Sequence, residues 1–137
     1  MKPNVLLKIT SVLSVLLFSL HVADDIVRGF EKGGTWNLTA VLIFTTWLYG
    51  TLVLAERRSG YVIVLLASLL ATCAPILHFQ AAGGVANSRI TQAGGALFWV
   101  WTLLALGVCA VLSVVLSAHG LWKLRMIHRD ENPDRRG

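Results

Sequence analysis

Four long apolar runs divide the chain, and short polar links separate them. The runs are Val5 to Ala23, Trp36 to Ala55, Tyr61 to Ala82 and Ala96 to Ala118, of 19, 20, 22 and 23 residues. At about 1.5 Å per residue, a helix of this length crosses a hydrocarbon core of about 30 Å. Apolar residues are continuous within each run, not alternating, which excludes the period-two pattern of a membrane barrel. In lipid the backbone must satisfy its own hydrogen bonds, so continuous runs predict helices. The expected fold is an all-α integral membrane four-helix bundle in up-down-up-down order, a single transmembrane domain over residues 1–137.

The links shape the expected bundle. Glu56 to Gly60 is short enough to make the second and third helices a tight antiparallel hairpin. Gly83-Gly84 and Gly94-Gly95 bracket the third link and predict a flexible polar loop. After Ala118 the chain turns basic and polar. His119 to Arg129 reads as an extension of the fourth helix, with Trp122, Leu124 and Ile127 set among basic residues that suit an anionic membrane surface. Disorder is expected from Pro133 onward. The first run also shares features with a secretory signal: Lys8 near its start and Ala23 before Asp24. Cleavage there would put His21 at a position that prefers a small side chain, so a retained helix is expected.

Composition agrees with the pattern. The chain is 55% hydrophobic and 14% charged, with a mean hydropathy of +0.69. A soluble domain of this size cannot hide that much apolar surface. The net charge of +5 lies in the links and termini, which argues for a bilayer and not nucleic acid as the partner. Nine of the twelve Lys and Arg residues fall on the side of the two termini and the second link: Lys2, Lys8, Arg57, Arg58, Lys123, Arg125, Arg129, Arg135 and Arg136. Arg28, Lys32 and Arg89 fall on the other. The positive-inside rule then predicts a multi-pass protein of the cell inner (plasma) membrane with N- and C-termini cytoplasmic. Trp36, Phe98, Trp99 and Trp101 are expected in an aromatic belt at the outer interface, and Tyr49, Tyr61 and Trp122 at the inner one. Cys73 and Cys109 lie inside apolar runs and read as packing residues.

Candidate chemistry concentrates at Leu20 to Gly29, where one histidine, two aspartates and one arginine follow an apolar run. Ser11, Ser14, Phe18, His21, Asp25 and Arg28 recur at steps of three and four, forming one helical stripe. Polar stripes of membrane helices face the protein interior. The third run has a matching stripe of Ser68, Ala71, Pro75, His78 and Ala82. His21 lies 16 residues above Val5, and His78 lies 17 above Tyr61. Both therefore sit roughly 24–26 Å up parallel helices, near the outer end of the core. Pro75 frees a backbone carbonyl one turn below His78. If the stripes face each other, His21, Asp24, Asp25 and His78 form a candidate metal site. Imidazole and carboxylate together suit zinc, copper or iron, with Gln80 and Glu31 as further ligands. Two histidines at one depth also permit a bis-histidine haem. The plainer reading is a hydrogen-bonded cluster in which Asp24 or Asp25 pairs with Arg28.

The remaining polar residues constrain function further. Thr45, Thr46, Ser68, Thr72, Thr102 and Ser113 read as interhelical hydrogen-bonding groups, and no ionisable residue lies mid-membrane. That weighs against proton or ion coupling by a single copy. Ala67 with Ala71, and Ser113 with Ser117, permit close helix packing within the bundle or between copies. Asp25 and His21 form a candidate base pair, with the Gly83 to Gly95 loop as a lid. No phosphate loop is present and no motif points to a specific reaction, so catalysis is the least favoured reading. His21 to Gly29 and Trp47 to Arg58 resemble stretches of small bacterial membrane proteins, and the resemblance implies no particular activity. The leading expectation is an accessory or scaffold subunit that associates with itself, as a homo-oligomer, or with a partner membrane protein. The alternatives are an outer-leaflet His/Asp site for a transition metal or other small ligand, and a small transporter acting as an oligomer.

Overall fold

The computed structural model describes residues 2–31, 33–80 and 95–130. The flexible loop and disordered tail expected from the sequence fall, apart from Gly95, outside the described residues, as does Ala82. Among the described residues four α-helices follow in order: α1 (Pro3–Val27), α2 (Leu38–Leu52), α3 (Arg58–Gln80) and α4 (Ala96–Asp130). A 3-10 turn, Thr35–Asn37, leads into α2. No strand occurs among the described residues.

Side-chain contacts fix the up-down order. Phe18 of α1 meets Phe44 of α2, while Ser11 bonds Thr51 further along α2, so these helices are antiparallel. On α4, Thr10 of α1 pairs with Ser113 and Asp25 with Trp99, so α1 and α4 are also antiparallel. Helices α1 and α3 run the same way: Asn4 accepts from Tyr61 at one end, and His21 meets His78 at the other.

Three helices, α1, α3 and α4, are long and apolar enough to cross a membrane, with best-window mean hydropathies of 2.0, 2.2 and 2.4. Helix α2 differs from expectation. Its run of 20 apolar residues yields only 15 helical ones, roughly 22 Å at about 1.5 Å each. The cause is local. Val53 and Leu54 both direct their N–H groups to the Tyr49 carbonyl, and Glu56 takes a left-handed conformation (φ 69°). Apolar Val53, Leu54 and Ala55 are thus spent on a turn. At the other end α4 continues past its apolar run to Asp130, as the sequence predicts.

The bundle is apolar outside and mixed inside. Val5, Leu16, Leu42, Leu66, Leu77, Leu97, Val108 and Val115 all face outward. Among the described residues ten hydrophobic side chains are buried, including Leu7, Val15, Trp47, Val64, Leu103 and Leu106. Ten polar ones are buried with them, including Thr10, Ser11, Ser14, Thr51, Ser113 and Ser117. That distribution suits a lipid solvent, where helices gain little from hiding leucine and more from close contact and shared hydroxyl bonds. The Trp47 indole donates to Ser11 Oγ at 2.8 Å, with Ser11 and Thr51 at 2.7 Å. Ser113, Ser117 and Ala71 are buried in the bundle, and Ala67 packs against the same core. The small-residue pairs are therefore used between helices of one chain.

Candidate metal centre

Helix α1 ends just beyond the residues of interest, and its ending places them. Phe30 donates its N–H to Asp25 O at 2.9 Å, and Gly29 donates to Ile26 O at 3.1 Å. Gly29 has φ +72°. This is the paired 6→1 and 5→2 closure that a left-handed residue allows, and glycine takes that conformation without strain. Phe30 is thereby turned back over the bundle against Trp99, 6.2 Å between ring centroids.

One turn before that end, His21 and Asp25 project inward from the same face, because they are four apart. Both are buried, His21 at 1% exposure. Asp25 uses its two carboxylate oxygens differently. Oδ1 accepts the Trp99 indole N–H at 2.6 Å. Oδ2 faces two imidazoles, with His21 Nε2 and His78 Nε2 each at 3.6 Å. Neither approach is short enough for a hydrogen bond. The ligand atoms of His21, Asp25 and His78 all lie within 4.8 Å of one another. A tetrahedral ion with bonds of about 2.1 Å holds its ligands about 3.4 Å apart. The carboxylate is thus close to the required spacing, and only the two histidines need to draw together. His78, with 30% of its side chain exposed, is the member free to make that adjustment.

The surroundings also select a tautomer. Thr102 donates its hydroxyl to the Trp99 carbonyl at 3.0 Å. Towards His21 Nδ1, 3.5 Å away, the same oxygen can only accept. With the proton on Nδ1, Nε2 keeps its lone pair for a ligand. That nitrogen is buried and has no hydrogen-bond partner among the described residues. A metal-binding histidine shows this arrangement, with one nitrogen tethered through an outer hydrogen bond and the other bare and aimed at the site.

Of the residues singled out from sequence, His21, Asp25 and His78 are brought together. Asp24 is not: it pairs with Arg28, Nε to Oδ2 at 2.7 Å, on the neighbouring face of the same helix. The Asp–Arg pair and the histidine cluster are therefore adjacent but separate, each built on its own i, i+4 spacing. Glu31 and Gln80 are exposed. A haem does not fit. The imidazoles touch edge to face at 5.0 Å between centroids, and Trp99 lies 5.2 Å from both. No slot separates them for a planar macrocycle.

Two residues of the site were not anticipated. Trp99, expected in the outer aromatic belt, is instead buried at 1% exposure. Its neighbours Phe98 and Trp101 do face outward. Thr102, a mid-helix hydroxyl by sequence, lies beside His21. The signal was available in the stripe Trp99, Thr102, Leu106, Ser113 and Ser117 of α4, which recurs at helical spacing and is buried throughout. Comparison with protein-family models, with curated proteins and with solved structures found nothing that matches this chain.

Proposed function

We propose that this chain is a multi-pass membrane protein that binds a divalent transition-metal ion at His21, Asp25 and His78. The reading rests chiefly on one observation: a buried imidazole nitrogen, His21 Nε2, lacks a hydrogen-bond partner among the described residues and faces a carboxylate held ready by Trp99. Leaving such a group unmatched in the interior is costly, and a cation satisfies it. Two imidazoles and one carboxylate suit zinc, copper or iron(II) and leave a fourth position for an exchangeable ligand. The charge bias of the links supports an orientation with both termini in the cytoplasm, in which the site lies beneath the outer face of the plasma membrane. A shallow site on that side suits capture or sensing of a metal from outside. The small-residue stripes are occupied within the bundle, so they are not the face through which a scaffold partner would dock.

The test is elemental analysis of the protein purified in detergent, followed by thermal unfolding with added zinc or copper. About one bound ion per chain is expected. At a hundredfold excess over Kd, binding stabilises by about 2.7 kcal/mol, roughly 5–10 °C in melting temperature for a chain of this size. His21→Ala should abolish the shift. Metal-free protein whose melting temperature ignores both ions would leave only a structural cluster.

A further inference from the structure

The opposite end of the bundle carries a second site, independent of the histidine cluster. There α1, α3 and α4 are clamped together. Tyr61 donates to Asn4 at 3.1 Å, and its ring lies so close to Gly120 that a Cβ there would collide with it. Beyond Gly120 helix α4 runs on for ten more residues to Asp130. Between this extension and the turn joining α2 to α3 lies an open cavity of about 910 Å³. Its lining falls into two parts. Val62, Leu121, Trp122 and Leu124 make one part apolar; Arg57, Arg58 and Arg125, with Glu56, make the other charged. Three arginines against one glutamate leave a net positive site. The turn that carries Arg57 and Arg58 is held in place: Arg57 N–H bonds Leu54 O at 3.1 Å, and Glu56 sits left-handed before it.

An occupant must match both parts at once. It needs an anionic group for the arginines and an apolar body for the leucines and Trp122, at the level where the apolar spans give way to charged residues. A free anion leaves the apolar wall wet, and a neutral hydrocarbon leaves the arginines unmatched. We infer that this cavity is a binding site for an anionic phospholipid, with the phosphate headgroup at Arg57, Arg58 and Arg125 and the upper acyl chain along Val62, Leu121 and Leu124. Guanidinium groups bind phosphate bidentately, and basic residues at a membrane surface each strengthen anionic-lipid binding. Lys123 is exposed on the same helix but does not line the cavity, so it separates a formed site from general surface charge.

Full-length protein in a neutral detergent is titrated with phosphatidylglycerol carrying brominated acyl chains, reading tryptophan quenching and melting temperature. Saturable quenching and a raised melting temperature are expected. Arg58→Gln and Arg125→Gln should each weaken binding roughly fivefold, from about 1 kcal/mol per basic residue. Lys123→Gln should bind as the parent does, and Trp122→Phe should keep the thermal shift while losing most of the quenching. Equal loss in Lys123→Gln and Arg125→Gln would overturn the site in favour of diffuse attraction. Equal binding of phosphatidylcholine would remove the charge requirement. An equal thermal shift from inorganic phosphate would show that the acyl chain contributes nothing, which also overturns the proposal.

Discussion

At the scale of single residues, the site depends on spacing within one helix turn. His21 and Asp25 are four apart and share a face; Asp24 and Arg28 are four apart and share the next one. Sequence alone admits either aspartate as partner to His21, because both i+3 and i+4 are within reach. What separates them is Arg28, which takes Asp24 at 2.7 Å, and Trp99, which takes Asp25 at 2.6 Å. The Trp99 contribution was hidden because a tryptophan near a helix end reads as an interface anchor. Its role as a positioning residue is testable. Trp99→Phe keeps the ring packing against both imidazoles but removes the donor that turns Oδ2 towards them. Loss of such an outer hydrogen bond typically costs 10–100-fold in metal affinity. A competition titration with a zinc chelator should show that loss while far-ultraviolet dichroism stays as in the parent. Unchanged affinity would mean that Asp25 is oriented by other contacts.

At the scale of elements, three helices were legible because apolarity and helical length coincide in them. The second was legible as a helix but not in its end, because hydropathy registers lipid compatibility and is blind to where a chain turns. The turn after Leu52 is made by backbone contacts. Gly60, at the start of α3, passes so near the Leu54 carbonyl oxygen that any Cβ would collide with it, and Gly50 faces Ile63 with a Cβ clearance of only 2.6 Å. These two glycines set how closely the α2–α3 hairpin closes, and nothing in their immediate sequence marks them. Gly60→Ala should therefore be among the more damaging single-methyl additions. The opposing atom is backbone and cannot rotate aside, so a loss of about 1–3 kcal/mol is expected. Gly34→Ala, with open space around its Cα, should fall within about 0.5 kcal/mol of the parent. Denaturant unfolding in mixed micelles measures both.

At the scale of the whole molecule, parallel α1 and α3 bring His21 and His78 to one depth, and antiparallel α4 brings Trp99 and Thr102 down to meet them. The up-down order was predictable from short links, and it accounts for the matched depths. The inward face of α4 was marked only by the sparse polar positions Thr102, Ser113 and Ser117, since its apolar residues surround the helix. The result is a chain with different chemistry at its two ends, a His/Asp cluster at one and an arginine-lined cavity at the other. A column of buried hydroxyls lies between them. No buried ionisable group falls in that middle region among the described residues, so the two ends are read as separate sites and not as one conduction path.

The central claim is that a metal ion joins α1 to α3 through two imidazoles. X-ray absorption at the zinc edge, on protein loaded with one equivalent of zinc, tests it directly. The account predicts nitrogen and oxygen neighbours at about 2.0–2.1 Å, with outer-shell scattering from two imidazoles that falls to one in His78→Ala. His78 has 30% of its side chain exposed, so that variant should fold. An oxygen-only shell, or a parent spectrum that His78→Ala leaves unchanged, would contradict it.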